Sequence, residues 1–141
     1  MTFGNHITVA EFHYLRKAVG WKELDDERAQ NSIENALFLV TALIDGKIAG
    51  LTRVGGDGGY TIFITDVIVL PEYQKKGIGK KLMAKAMDFI RESYVKKGQS
   101  VIVYLMSNKG LEHFYKQFGF EERPNEKFGA GMTQWVENLH D

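Results

Sequence analysis

The chain has 141 residues, of which 44% are hydrophobic and 26% charged, so we expect one soluble globular domain over residues 1–141. Its 18 basic residues balance 18 acidic residues, and a net charge of zero gives no general case for nucleic-acid binding. The absence of cysteine excludes disulfides, zinc–thiolate sites and cysteine nucleophiles. No apolar run approaches the ~20 residues of a membrane span, and the first residues lack the features of a secretory signal. We therefore expect a cytoplasmic protein.

Two helices are predicted near the start of the chain. Thr8 and Glu11 have the spacing of a capping box, which predicts a helix over residues 8–19 that Gly20 ends. A second helix is predicted over residues 25–35, because acidic side chains fill its first turn, where the helix dipole favours them.

Three strands should follow these helices. Residues 37–44 and 47–54 are two apolar runs joined by an Asp-Gly pair at 45–46, which is a two-residue hairpin signal. The next strand begins at Thr61, and its near-continuous run of Ile and Val predicts burial on both faces. Pro71 ends it, since proline cannot donate to a strand ladder.

The second half of the chain predicts a parallel crossover and a small terminal part. A long amphipathic helix follows Gly77, and residues 100–106 form another buried strand. A short helix is predicted over residues 108–117. Residues 120–122 and 132–136 are candidate last strands, and the whole chain predicts an α+β or α/β domain with a mixed sheet.

The strand, turn and helix around residues 74–79 (Gln-Lys-Lys-Gly-Ile-Gly) have the arrangement of an anion site. Free backbone N–H groups and the positive end of the helix dipole converge at the start of the helix. The two glycines allow a ligand to approach the main chain closely. Four lysines add positive charge around it: Lys75, Lys76, Lys80 and Lys81. A phosphorylated ligand is therefore predicted.

Three glycine-loop motifs compete for this segment. The P-loop requires glycine at the position of Gln74 and serine or threonine at that of Lys81. The dinucleotide fingerprint requires glycine at the position of Leu82. Both motifs fail. A third pattern, Q/R-x-x-G-x-G/A after a V-x-P-x-Y turn, is matched in full by residues 69–79.

Through this motif the chain resembles the GNAT superfamily of acetyl-CoA-dependent N-acetyltransferases. Residues 108–120 resemble the second signature of the family, Asn followed by Phe-Tyr-x-x-x-Gly-Phe. The resemblance implies an α+β fold, with a mixed and mostly antiparallel central sheet of about six to seven strands flanked by about four helices. The family usually has a strand before the first helix, and only residues 2–7 are available for it, so we expect that strand to be short or absent.

The resemblance also implies acetyl-CoA as cosubstrate, no metal, and a set of cofactor contacts. Main-chain N–H groups of the loop would hold the pyrophosphate, its lysines would screen the charge, and the end of the central strand would pair with the pantetheine arm. Asn108 would contact the arm or cap the next helix. The implied cofactor-binding residues are Ile68, Val69, Gln74, Lys75, Lys76, Gly77, Ile78, Gly79, Lys80, Asn108 and Tyr115.

Two residues are candidates for catalysis. Tyr115 matches the tyrosine proposed as general acid in the family, because a phenol can protonate the leaving thiolate; otherwise it is a core tyrosine. Asp66 is the one ionisable residue inside the central strand, and a carboxylate in an apolar run needs either a hydrogen-bonded structural role or a chemical one. Asp66 is therefore the candidate base, with a structural role as the open alternative.

The acceptor remains open between several classes. Trp21, Tyr60, Phe63 and Thr65, with the loop over residues 128–132, would suit a small amine with an aromatic group, whereas the acidic second helix would attract a polyamine. A protein or peptide amine and a non-catalytic CoA-binding regulator are the alternatives. Direct transfer in a ternary complex is expected, since no cysteine can form an acyl-enzyme, and family members are often homodimers.

Overall fold

The computed structural model describes residues 1–138. The predicted domain over residues 1–141 therefore extends beyond the described residues. The chain divides into two compact units, Met1–Leu105 and Met106–Asp141, which we describe separately. The expectation of a single domain stays a prediction. No helix within residues 1–138 is long and apolar enough to cross a membrane.

The first unit holds one mixed sheet in the order β1-β2-β3-β4-β5, in which only the β4–β5 pair is parallel. The predicted α+β class is therefore confirmed, but the described residues contain five strands rather than six to seven, with four α-helices. The elements are β1 (Thr2–Gly4), α1 (Val9–Ala18), α2 (Asp26–Glu34), β2 (Phe38–Ile44), β3 (Lys47–Gly56), β4 (Thr61–Val69), α3 (Ile78–Tyr94) and β5 (Ile102–Tyr104), with α4 (Glu112–Lys116) in the second unit.

The predicted capping box opens α1. The backbone N–H of Glu11 donates to Thr8 Oγ1 at 3.0 Å, and the backbone N–H of Thr8 donates to Glu11 Oε1 at 3.0 Å. Asp25 caps α2 in the same way, since the N–H of Arg28 donates to Asp25 Oδ1 at 2.7 Å. Each cap satisfies a donor that the first turn of a helix leaves without a partner.

Replacing Thr8 with alanine should therefore lower the free energy of unfolding by about 1 kcal/mol. Thr8→Ser keeps the accepting oxygen and should stay within a few tenths of a kcal/mol of the wild type. Chemical denaturation of both variants measures the difference. Equal loss in the two variants would contradict the capping role and indicate a loss of methyl packing instead.

Alternation along the strands places a separate apolar cluster on each face of the sheet. On β2, Leu39 packs with Phe12 and Leu15 of α1, whereas the next residue, Val40, packs with Leu82 of α3. Neighbouring strand residues point to opposite faces. Helices α1 and α2 therefore cover one face, and α3 covers the other.

The prediction that β4 is buried on both faces is wrong. Its even-numbered residues from Ile62 to Ile68 are buried, and the odd-numbered ones from Thr61 to Val69 are half-buried or exposed. Phe63 has 43% of its surface exposed. The apolar residues of this run favour a β-strand whichever face they lie on, but packed elements fully cover only one face.

The elements near the C-terminus are shorter than predicted. Strand β5 covers only Ile102–Tyr104, because its pairing with β4 ends there. Helix α4 begins at Glu112 rather than at residue 108, since Gly110 has φ 93°, which no right-handed helix accommodates.

Residues 120–122 and 132–136 are not strands, so that prediction is wrong. In the second segment Met132 and Val136 are 88% and 87% exposed, so no half-buried face fixes a strand register. Arg123 Nε donates to the Gly129 carbonyl at 2.8 Å, which closes the intervening loop on itself.

Candidate active site

The N-terminus of α3 is the predicted anion site. Gly77 is the N-cap residue, with φ 82° and ψ 5°, and no side chain within the described residues caps the helix there. A Cβ at Gly77 would meet no heavy atom of the described chain within 4 Å. The first-turn N–H groups therefore have no side-chain cap within the described residues, and the residues fit a pyrophosphate.

The loop before α3 is tied to the end of β4. A 3-10 turn over Pro71–Tyr73 leads into it, and Gln74 Nε2 donates to the Val69 carbonyl at 2.9 Å. Lys75 has φ 64°, and Lys76 Nζ lies 5.6 Å from the centre of the Tyr73 ring. The lysine side chains of the loop are exposed, as charge-screening groups require.

A β-bulge interrupts β4 just before the residues predicted to bind pantetheine. Leu51 pairs with Ile68 and Arg53 pairs with Thr65, so the single residue between them on β3 faces two residues of β4, Asp66 and Val67. Such bulges bend a strand and increase its local twist.

The β5 side of β4 is open beyond its first three residues. Pairing ends at Phe63 with Tyr104, and within residues 1–138 no strand continues it along this edge. Ile68 is 1% exposed and Val69 is half-buried. An open edge of this kind can accept an extended ligand as an added strand.

Asp66 is the buried member of an ion triad with two partly buried arginines. Arg53 Nε donates to Asp66 Oδ2 at 2.6 Å, and Arg16 Nη1 donates to Asp66 Oδ1 at 3.2 Å. Only 4% of the Asp66 side chain is exposed. Both oxygens are therefore engaged by guanidinium groups, which supports the structural alternative for this residue over the role of base.

The four residues predicted to bind the acceptor do not share one pocket. Trp21 lines a cavity of about 250 Å³ beside α1, and the lining residues are His13, Arg16, Lys17, Trp21, Lys22, Glu23 and Leu24. Phe63 instead stacks on Tyr104, with ring centres 5.2 Å apart. Thr65 follows Phe63 on the same face of β4, and Tyr60, 62% exposed, precedes the strand.

Sequence reasoning missed Arg16, Arg53 and Tyr104. The two arginines lie 50 and 13 residues from Asp66 in the chain, so no local spacing connects them with it. Tyr104 could be placed beside Phe63 only from the parallel pairing of β5 with β4. Once that register is known, the alternation of residues along each strand puts the two side chains on the same face.

Tyr115 lies at the centre of an aromatic cluster in the second unit. It is 7% exposed, and its ring lies edge-on to Phe114 at 5.1 Å and to Phe120 at 6.4 Å. Burial removes water from the phenol and raises its pKa above the ordinary value of 10.0. The phenol therefore keeps its proton at neutral pH, as a general acid must.

The interpretation of Asn108 as a helix cap is wrong. The N-cap position of α4 belongs to Leu111, whose backbone N–H donates to the Asn108 carbonyl at 3.0 Å. Asn108 is exposed, and contact with the cofactor stays a prediction. In the part of the chain that the structure describes, no cluster of three or more His, Cys, Asp or Glu could hold a metal ion.

Comparison with known proteins agrees with this geometry. Residues 6–120 match the model of the acetyltransferase (GNAT) family. The chain is 22% identical over 129 residues to ycf52 of Pyropia yezoensis, an uncharacterized N-acetyltransferase, and this covers 89% of the chain and 71% of the relative.

Solved structures are similar along nearly the whole chain. A probable acetyltransferase from meticillin-resistant Staphylococcus aureus has a TM-score of 0.82 and 29% identity, over 94% of this chain and 98% of that one. A GNAT family acetyltransferase from Streptococcus pneumoniae has a TM-score of 0.77 and 29% identity, over 96% of each chain. The protein belongs to the acetyltransferase (GNAT) family and is an N-acetyltransferase.

Proposed function

We propose that the protein transfers the acetyl group of acetyl-CoA to the primary amine of a small molecule, directly and within a ternary complex. One observation carries the proposal. The uncapped N-terminus of α3 at Gly77 and the open edge of β4 lie on either side of one short loop, and Gln74 ties that loop to the Val69 carbonyl.

The two features suit the two ends of the cofactor. The first-turn N–H groups of α3 would hold the pyrophosphate, and the helix dipole and the lysines of the loop would offset its charge. Main-chain groups of Ile68 and Val69 would pair with the amide groups of the pantetheine arm, as an added strand does. The bound thioester then supplies the acetyl group.

The transfer needs one proton acceptor and one donor. The uncharged amine attacks the thioester carbonyl and a C–N bond forms. The nitrogen then loses one proton, the C–S bond breaks, and the sulfur leaves as a thiolate. We propose that the Tyr115 O–H donates its proton to this sulfur and regains one from solvent. Since the carboxylate of Asp66 is held by two arginines, we assign to water both the ammonium proton lost before the attack and the nitrogen proton lost after it.

A small amine is favoured by two features of the first unit. The Trp21 cavity has room for a group of several heavy atoms, and the stacked rings of Phe63 and Tyr104 offer a half-exposed apolar surface. The stacked rings suit an amine attached to an apolar or aromatic group, because burial of its surface would supply binding free energy.

An assay of thiol release from acetyl-CoA over a panel of amines tests this function. We expect release with at least one small primary amine, and mass spectrometry should show that amine heavier by one acetyl group. Release with peptides alone would replace the small amine by a protein acceptor. Tight acetyl-CoA binding without release over the whole panel would indicate a non-catalytic regulator.

Two further properties belong to the proposal. A cytoplasmic location is supported by a sequence without cysteine, and a homodimer is supported by the family resemblance. Light scattering at several protein concentrations measures the second property. A mass of 16.0 kDa at every concentration would exclude the dimer.

A further inference from the structure

The backbone at the β4 bulge adopts a conformation that needs support. Asp66 has φ 52°, in the left-handed region where residues other than glycine are uncommon. Aspartate tolerates this region better than most side chains but still prefers extended backbone within a strand. The bulge therefore persists because contacts around Asp66 stabilise it.

The two arginines of the triad supply these contacts from different elements. Arg53 projects from β3 and also donates through Nη1 to the Ser32 carbonyl of α2 at 3.3 Å. Arg16 projects from α1 and donates through Nη2 to the Lys22 carbonyl at 2.9 Å. One carboxylate therefore connects the bulge with β3, α1, α2 and the segment that joins the two helices.

Arg16 is itself held in place. Its Cζ atom lies 5.6 Å from the centre of the Phe12 ring and 5.4 Å from that of Trp21, and its side chain is 14% exposed. A planar guanidinium between two rings has little freedom to rotate. The wall of the Trp21 cavity is therefore fixed to the same carboxylate as the bulge.

We propose that Arg16, Asp66 and Arg53 form a positioning device that holds the β4 bulge, and through it Ile68 and Val69, in the geometry that acetyl-CoA requires. This inference rests on the proposed cofactor site. Asp66 acts through the backbone and takes no proton from the acceptor. The same triad sets the place of the Trp21 cavity relative to β4, since Arg16 belongs to both.

The burial of Asp66 supports positioning over proton transfer. A general base must reach the proton that it removes within hydrogen-bond distance, directly or through one water. Each oxygen of Asp66 already accepts from a guanidinium, and 4% of the side chain is exposed. A small displacement of reacting groups is costly even when the chemistry is intact, by up to about 100-fold for 1 Å.

The test is Asp66→Asn, which keeps an accepting oxygen and tolerates the left-handed backbone but removes the charge. We expect kcat/KM for acetyl-CoA to fall roughly 10-fold to 100-fold, while the acidic limb of the pH–rate profile keeps its position. Arg16→Lys and Arg53→Lys leave Asp66 in place, and each should lower kcat/KM less than Asp66→Asn does. They also keep the inference testable if Asp66→Asn fails to fold.

Two control variants separate positioning from general loss of stability. Arg91→Lys alters an arginine that is 61% exposed and paired with Asp88, and it should leave the kinetics unchanged. Thr8→Ala lowers stability at the start of α1, and it should leave kcat/KM unchanged at temperatures where the enzyme stays folded.

Two outcomes would overturn the inference. Loss of the acidic limb in Asp66→Asn with acetyl-CoA affinity intact would make Asp66 the base. Kinetics within twofold of the wild type in all three triad variants would leave the triad without a role in the reaction. Failure of the proposed cofactor site is a separate outcome, and calorimetric titration of the wild type with acetyl-CoA detects it. In that case the wild type itself would not bind acetyl-CoA.

Discussion

Gly77→Trp is expected to weaken acetyl-CoA binding by at least about 100-fold, or about 2.8 kcal/mol at 1.4 kcal/mol per decade. The side chain would extend from the N-cap residue of α3, where a Cβ meets no described heavy atom within 4 Å. It would occupy the space proposed for the pyrophosphate, and calorimetric titration of acetyl-CoA measures the loss.

Gly98→Trp is the matched control for this variant. Gly98 has φ 83°, close to the 82° of Gly77, and a Cβ there also meets no described heavy atom within 4 Å. The same backbone strain of about 1–2 kcal/mol therefore applies at both positions. Gly98 follows the opposite end of α3, whose 17 residues span about 25 Å. Equal affinity in the Gly77 variant and the wild type would refute the cofactor site.

Tyr115→Phe is expected to lower kcat by roughly 100-fold, the lower end of what a general acid contributes, while the affinity for acetyl-CoA changes little. The substitution removes the proton donor and keeps the ring that packs against Phe114 and Phe120. Steady-state kinetics measure kcat, and calorimetry measures the affinity. Tyr14→Phe, at a tyrosine 53% exposed on α1, should change neither quantity.

The pH dependence gives a second test of Tyr115. Burial raises its pKa above 10.0, so more than half of the phenol still carries its proton at pH 10. The proton-donor form is therefore fully present at neutral pH and is lost only as pH rises through the raised pKa. A basic limb of kcat with its midpoint below pH 10 would therefore come from another group. Equal loss of kcat and acetyl-CoA affinity in Tyr115→Phe would assign the residue to packing.

The features that the sequence predicted correctly depend on neighbours in the chain. Thr8 and Glu11 lie three residues apart, and the capping box follows from that spacing wherever the helix packs. The hairpin at residues 45–46 places Asp45 at φ 52° and Gly46 at φ 76°, and the Asp-Gly pair suffices to indicate this turn. The segment before α3 likewise ends at Gly77, whose φ of 82° lies in the left-handed region that glycine adopts without steric cost.

The predictions for the C-terminal segments failed because a local sequence pattern does not show which strand or helix the segment packs against. Residues 132–136 have the composition of a strand, but a strand requires a neighbouring edge and a covered face, and composition specifies neither. The sequence around Gly110 was compatible with a helix that begins at residue 108. In the structure Gly110 has φ 93°, and α4 begins at Glu112 instead.

The sequence by itself determined the glycine turn before α3 and the family, because a glycine turn at a helix N-terminus forms through its own backbone and needs no distant partner. Only the tertiary structure decided what surrounds Asp66. Its partners, Arg16 and Arg53, come from α1 and β3, and a buried carboxylate takes its role from the charges that pack against it. The residue that the sequence indicated as a base therefore lies at the centre of an ion triad.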